Sequence, residues 1–231
     1  MSHTILITGA NRGIGLEFVK QYAQKDWQVL ACCRHPESAY ALSDLAKSHA
    51  NVAILPLDVT DDATIKRLAT QLENQPIDIL VNNAGVSLDD DNGFGSVDRD
   101  DWQTTLNVNS LAPVLVSQAL VKNVSKSDKK IMAFISSKMG SISDNQYGMY
   151  YSYRASKAAL NAQVMSMAID LKTHGITTIA LHPGWVKTDM GGPDALITTK
   201  TSVEGMSQVL SEITLKDSGT FRGFNGEHIS W

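Results

Sequence analysis

Short apolar runs alternate with longer amphipathic stretches along this chain. The runs at 4–7, 29–33, 52–57, 78–81, 130–135 and 177–181 are predicted strands, and a weaker candidate lies at 227–231. Most are continuously apolar rather than alternating. That marks strands buried on both faces, as in a parallel sheet covered by helices. The intervening stretches carry helical spacing. Within 61–74, Ile65, Leu68, Ala69 and Leu72 fall at i, i+3, i+4 and i+7. Thr201 and Glu204 form a capping-box pattern ahead of Val209, Leu210 and Ile213, which places a helix start near Thr201. Strand and helix in regular alternation predict an α/β fold, a doubly wound, seven-stranded, mainly parallel sheet with helices on both faces. No repeat, low-complexity linker or composition break divides residues 1–231, so one domain is expected. The least regular stretches, 87–97 and 184–200, are predicted loops.

Length and composition narrow the class. A chain of 231 residues suits one large domain or two small ones, at roughly 100–200 residues each. With 20 basic and 24 acidic residues the formal charge is −4, which gives no electrostatic reason to expect nucleic acid or an anionic membrane as partner. The two cysteines, Cys32 and Cys33, are neighbours and cannot staple distant segments, so a reducing compartment fits. No apolar run approaches the ~18 residues of a membrane span. The opening MetSerHisThrIleLeuIleThrGlyAla lacks the pattern of a signal peptide. The expectation is a soluble cytoplasmic domain.

The first predicted strand runs into Thr8-Gly9-Ala10-Asn11-Arg12-Gly13-Ile14-Gly15 and then a helix with Leu16, Val19, Tyr22 and Ala23. The spacing is G-x-x-x-G-x-G, which differs from the G-x-G-x-x-G dinucleotide fingerprint. The physical logic is shared: glycines let backbone approach a pyrophosphate, and the helix N-terminus offers free N–H groups. A strand-to-helix turn with no ligand is the competing reading.

Four tyrosines crowd into 147–153, and for each a packing role is the plainer alternative. Only Tyr153 has a lysine four residues on, Lys157, on the same helical face. Tyr150 has Arg154 at that spacing, but arginine keeps its proton and cannot join a relay. Other chemistry-bearing residues gather at the carboxyl ends of predicted strands, where an open α/β sheet binds ligands. Ser136 and Ser137 end one strand, Asn82-Asn83-Ala84-Gly85 another, and His182-Pro183-Gly184 a third. Asn109 falls inside a helical stretch, too far in to cap its start, where an Asn is usually surface or a local bend.

Together these residues resemble the short-chain dehydrogenase/reductase family. The resemblance rests on 8–15, AsnAsnAlaGly at 82–85, Asn109, Ser137, TyrArgAlaSerLys at 153–157 and ProGly at 183–184. The motifs arrive in the family's order over essentially the whole length. Within the family the chain is most similar to the carbonyl-reductase branch that holds Sniffer and the C-factor-like proteins. SerLysMetGlySerIle at 137–142, 153–161, HisProGlyTrpValLysThrAspMetGly at 182–191 and Trp231 carry that closer match.

The resemblance implies a Rossmann-type domain and hydride transfer between NADP(H) and a carbonyl or alcohol carbon. Asn109, Ser137, Tyr153 and Lys157 would be the catalytic set. Tyr153 would exchange a proton with the substrate oxygen and Ser137 would hydrogen-bond it. Lys157 would tune Tyr153 and bond the nicotinamide ribose, and Asn109 would hold a water leading from Lys157 to solvent. Cofactor contacts would come from Gly9, Asn11, Arg12, Gly13 and Ile14 in the turn, and from Arg34, Asp58 and Val59 at the adenosine end. Asn83, Ala84 and Gly85 would line the ribose side, with Tyr153 and Lys157, and Pro183, Gly184, Val186 and Thr188 the nicotinamide side. For Asp58 a helix-start role competes. The second strand ends at Cys33, Arg34 follows, and no acid appears until Glu37. Arg34 and Arg12 would therefore flank a 2′-phosphate and favour NADPH over NADH.

The substrate expected is a small apolar carbonyl compound, with Met190, Pro193, Leu196 and Ile197 on a lid at 189–200 and Met139, Tyr147 and Trp185 nearby. Relatives pair through the helices after the fourth and fifth strands. A homodimer, or a tetramer, is expected through about 100–124 and 152–172, using Ala155, Ala158, Ala159, Ala162, Val164, Met165, Met167 and Ile169. No metal site is expected. His182 lacks partners at ligand spacing and should pack at its strand end. The run Asp89-Asp90-Asp91 reads as a solvated loop. Ser136 and Ser137 have no hydrolase elbow around them. A nucleotide-binding signalling protein with little turnover is the rival from another class.

Overall fold

The computed structural model describes residues 2–88 and 93–231. Seven strands form one sheet in the order β3-β2-β1-β4-β5-β6-β7, and every pairing is parallel. The strands are β1 (Thr4–Thr8), β2 (Gln28–Cys33), β3 (Val52–Pro56), β4 (Ile79–Asn82), β5 (Ile131–Ile135), β6 (Thr177–His182) and β7 (Thr220–Gly223). The helices are α1 (Gly13–Ala23), α2 (Tyr40–Ser48), α3 (Asp62–Gln71), α4 (Arg99–Leu106), α5 (Ala112–Ser125), α6 (Tyr151–Asp170) and α7 (Thr199–Glu212).

The continuous apolar runs are explained by two cores, one on each face of the sheet. In β1, Ile5 and Ile7 point to one face and Leu6 to the other. In β5, Ile131, Ala133 and Ile135 oppose Met132 and Phe134 in the same way. The first face is covered by Phe18 and Val19 of α1, Leu42 of α2, and Val203, Met206 and Leu210 of α7. The second is covered by Ile65 and Leu68 of α3, Val116 and Leu120 of α5, and Leu160 and Val164 of α6. A strand whose two faces are both buried has no polar side to reveal its period.

Strand order reverses beside β1, which lies between β2 and β4. Crossovers leave toward opposite faces there, so the carboxyl ends of β1 and β4 border a crevice.

Three sequence expectations are corrected here. The seventh strand lies at Thr220–Gly223, not at 227–231. The later segment turns back against it: Arg222 bridges antiparallel to His228, and Ile229 N–H donates to the Phe221 carbonyl at 2.8 Å. Phe221 is the strand's single large core residue, so no apolar run announces it. The cap of helix α7 lies three residues before the expected one. Thr198 has extended backbone and its hydroxyl accepts from Thr201 N–H at 3.1 Å, so Thr201 is inside the first turn. Val164, expected on a subunit interface, is fully buried against its own sheet, while Ala162, Met165 and Ile169 are exposed. Among the described residues, no helix is long and apolar enough to cross a membrane.

Candidate active site

The glycine turn after β1 is held by backbone geometry. Gly9 and Gly13 have φ of 65° and 55°, a region that side chains with a Cβ rarely enter. A Cβ on Gly9 would also lie 2.9 Å from Ala84 Cα. Thr8 stitches this turn to the end of β4: its hydroxyl accepts from Asn83 N–H and Ala84 N–H, each at 3.0 Å. The Asn83 amide donates back to the carbonyls of Thr8 and Gly9 at 2.9 and 3.1 Å. Asn83 thus braces the turn with its side chain. Arg12 precedes α1 with extended backbone and no side-chain cap, which leaves the helix's leading N–H groups for a ligand.

This turn forms one wall of a cleft with a cavity volume of ≈1350 Å³. Most expected cofactor residues line it: Gly9, Asn11, Arg12, Gly13, Ile14, Arg34, Asp58, Val59, Asn83, Ala84, Gly85, Tyr153, Lys157, Pro183 and Thr188. Gly184 and Val186 do not. Ile197 and Phe224 occupy the space beside Gly184, and Val186 is buried in a bridge to Ile197.

At the adenosine end, burial works upward on the Asp58 carboxyl. Hydrogen bonds from Thr60 and the Arg34 charge outweigh it, so its pKa lies below the usual range. The Thr60 N–H and hydroxyl reach Asp58 Oδ1 at 2.9 and 2.7 Å, while Asp61 is the residue that caps α3. Arg12 reaches Asp189 across the cleft at 2.6 Å, a contact the sequence gives no sign of. Both partners are largely exposed, so the pair is weak and readily exchanged for another anion. His35 and Ser38 also line the cleft, as do Gln103, Thr104, Asn107 and Val108. Those four fall at i, i+1, i+4 and i+5, one helical face that spacing could have found.

Asn109 lies in a π-helical turn, Asn107–Leu111, between α4 and α5. It is buried, and its amide group meets Val86 twice: Oδ1 accepts from Val86 N–H at 2.9 Å and Nδ2 donates to the Val86 carbonyl at 2.8 Å. Nδ2 also donates to Ser156 Oγ at 3.0 Å. The π turn fits a helix that bends to place one buried polar residue.

Tyr153 and Lys157 project from α6 into the cleft. Burial pushes the Tyr153 phenol up to about 12, and its hydrogen bond with Ser137 opposes that rise. Burial pulls the Lys157 ammonium down to about 8. Lys157 Nζ donates to the Ile135 carbonyl at 2.9 Å and sits 5.6 Å from the Tyr153 ring centre. Ser137 Oγ accepts from Met139 N–H at 3.1 Å. His182 is held near 4 by burial first and by Lys138, and its Nδ1 accepts from Lys138 N–H at 3.3 Å, so it is a neutral packing residue.

Of the expected substrate residues, Met190 lines the cleft. Leu196 and Tyr147 stand in solvent, and Ile197 packs toward Gly184. The 185–197 segment folds back on itself, with Trp185 Nε1 donating to the Gly191 carbonyl at 2.7 Å and Lys187 N–H to the Ile197 carbonyl at 2.9 Å. Asp89, Asp90 and Asp91 lie outside the described residues. His3, Asp78 and Asp128 gather at the opposite end of the sheet. There Asp78 already accepts from Thr4 N–H at 2.8 Å and Lys129 N–H at 3.3 Å, and ties the starts of β1 and β5.

The profile of the family described as short chain dehydrogenase matches residues 3–195. The C-signal of Myxococcus xanthus is 41% identical over 171 residues, 72% of this chain and 100% of that protein. An NADPH-bound carbonyl reductase from chicken fatty liver superposes with a TM-score of 0.93 at 40% identity, covering 100% of this chain and 99% of that one. The carbonyl reductase Sniffer of D. melanogaster superposes with a TM-score of 0.93 at 33% identity and 100% coverage of both chains. With this strand order, with the glycine turn, Tyr153 and Lys157 lining one cleft, and with Ser137 hydrogen-bonded to Tyr153, the chain belongs to the short-chain dehydrogenase/reductase family of oxidoreductases.

Proposed function

We propose that this protein is an NADPH-dependent reductase that converts an apolar aldehyde, ketone or quinone to its alcohol. The cleft fits a dinucleotide: a Cβ on Gly9 would close the turn, the α1 N-terminus is uncapped, and Arg12 and Arg34 stand at the adenosine end. Gly9 to Ile14 would cradle the pyrophosphate. Asp58 and Val59 would meet the adenine, and Asn83 to Gly85 with Lys157 the ribose. Pro183 and Thr188 would border the nicotinamide, with Gly184 and Val186 behind them. The bound nicotinamide supplies the hydride.

The observation that carries the reading is the hydrogen bond between Ser137 and Tyr153, the tyrosine that lines the cleft beside Lys157. A phenol held at about 12 keeps its proton at neutral pH, as an acid for reduction must. As charge builds on the substrate oxygen, Tyr153 delivers its proton there and Ser137 hydrogen-bonds the same atom. Lys157, charged below about 8, holds a positive end beside the phenol and has further N–H groups for ribose hydroxyls. Asn109 would support a water that returns the proton from solvent. A homodimer through the exposed Ala162, Met165 and Ile169 face of α6 is part of the proposal.

Loss of NADPH absorbance with a panel of aldehydes, ketones and quinones tests the reading, and turnover of at least one class is expected. The likeness to C-signal favours a second reading, a nucleotide-binding signalling protein with little turnover. That reading gains if NADPH binds tightly and the whole panel is inert.

A further inference from the structure

Arg154 is the cation of TyrArgAlaSerLys that the chemistry above leaves without a role. Arg154, Lys157 and Asn161 fall at i, i+3 and i+7, on one face of α6. That face meets the segment that follows β5. Arg154 Nε donates to the carbonyls of Gly148 and Met149 at 2.9 and 3.0 Å, and Nη1 to the carbonyl of Met139 at 3.3 Å. One guanidinium therefore joins both ends of 139–149 to the helix.

Both ends need holding. Gly148, Met149 and Tyr150 are three successive left-handed residues, with φ of 66°, 57° and 51°. Methionine and tyrosine disfavour that region, because Cβ crowds the following carbonyl oxygen. Such a conformation persists where surrounding bonds over-determine it. At the other end, Met139 N–H is the donor to Ser137 Oγ, and Ser137 is bonded to Tyr153. The turn between is seated on α6 as well. Asn161 donates to the Gly140 carbonyl at 3.3 Å and accepts from Ser136 Oγ at 2.6 Å. A Cβ on Gly140 would lie 2.7 Å from Lys157.

We infer that Arg154 is a positioning residue for the reduction, pinning Met139, and through it the Ser137 hydroxyl, to the helix that carries Tyr153 and Lys157. The inference rests on the reductase reading for its catalytic consequence, and on geometry alone for the clamp. A planar fork suits three carbonyls at fixed directions; a lysine reaches one or two as a point charge, and a methionine fills the space with no donor.

The test uses the full chain with Arg154→Met and Arg154→Lys, NADPH and para-nitrobenzaldehyde, with amide hydrogen exchange alongside kinetics. Arg154→Met should speed exchange over 138–150 by ~10-fold, the loss of a charge-assisted bond, and leave the 8–15 turn as in wild type. It should lower kcat by ~10–100-fold through misplacement of Ser137, with the NADPH dissociation constant within ~2-fold. Arg154→Lys should recover part of both changes, and it carries both readouts if Arg154→Met does not fold. Unchanged exchange over 138–150 overturns the clamp. Unchanged kcat, or loss of NADPH affinity in step with kcat, overturns the positioning role. A wild type that reduces no carbonyl overturns the reductase reading and Arg154's part in it, while exchange still decides whether Arg154 holds the segment.

Discussion

The two walls of the cleft are built by different means. The nucleotide wall, at the ends of β1, β2 and β4, is main chain fixed by main chain and two short side chains. Thr8 and Asn83 make four bonds to neighbouring backbone, and the glycines set the path between them. The side proposed for the substrate, after β5 and β6, is made of longer segments tied by side chains, from α6 for 139–149 and from within the segment for 185–197. Arg154 and Asn161 hold 139–149, and Trp185 holds Gly191. A wall of backbone suits the dinucleotide proposed for it, whose pyrophosphate needs close approach of main-chain N–H groups. A wall of tethered loops can change shape one residue at a time, as a substrate pocket must.

This contrast predicts a ladder of effects. Lys157 touches both walls, so Lys157→Ala should lower kcat/KM by ~10³-fold, combining lost charge-assisted bonds with lost tuning of Tyr153. Steady-state kinetics with NADPH check this. The same lysine gives a pH signature. Folded, it loses its proton near 8; unfolded, near 10.5. Between those values the unfolded chain binds more protons, so stability of the cofactor-free protein should rise with pH across that window. Tyr153 acts the other way between 10 and about 12, where the folded state keeps the proton and stability falls. Urea unfolding at several pH values reads both.

Arg34→Asp touches only the nucleotide wall. Wild type should prefer NADPH over NADH by ~100-fold in kcat/KM, from two charge-assisted contacts partly offset by desolvation, and the variant should reverse much of that. Equal use of both cofactors by wild type would break the assignment of Arg34 and Arg12. Thr8→Val strands the N–H groups of Asn83 and Ala84 and should cost ~1–3 kcal/mol of stability, read by urea unfolding, with weaker NADPH binding. On the other wall, Met149→Gly relieves one left-handed residue. It should change stability by at most ~1 kcal/mol, since glycine's added freedom in the unfolded chain opposes the gain, and should move substrate KM rather than NADPH affinity. If Thr8→Val alters aldehyde KM as much as NADPH affinity, the two walls are not separate devices.

The same contrast explains what could be read in advance. The strands with two buried faces, the glycine turn and the Tyr153–Lys157 spacing are local patterns, and the sheet brought them together at the expected crevice. Strand β7 escaped because Phe221 is its one large core residue. The α7 start slipped because Thr198 and Thr201 stand three apart and both suit a cap. Only backbone dihedrals choose between them. The π turn at Asn109, whose amide meets Val86 and Ser156, and the Arg12–Asp189 pair depend on partners far along the chain. No local pattern carries them.

The most direct test of the central claim is Tyr153→Phe, with NADPH oxidation by an accepted carbonyl compound and NADPH affinity measured on the same preparation. One hydroxyl is lost, so the fold and cofactor affinity should stay near wild type while kcat falls by ~10²–10⁴-fold, the usual worth of a positioned acid. Wild-type turnover in Tyr153→Phe, with Tyr150→Phe inactive instead, would contradict the account and move the acid to the other tyrosine.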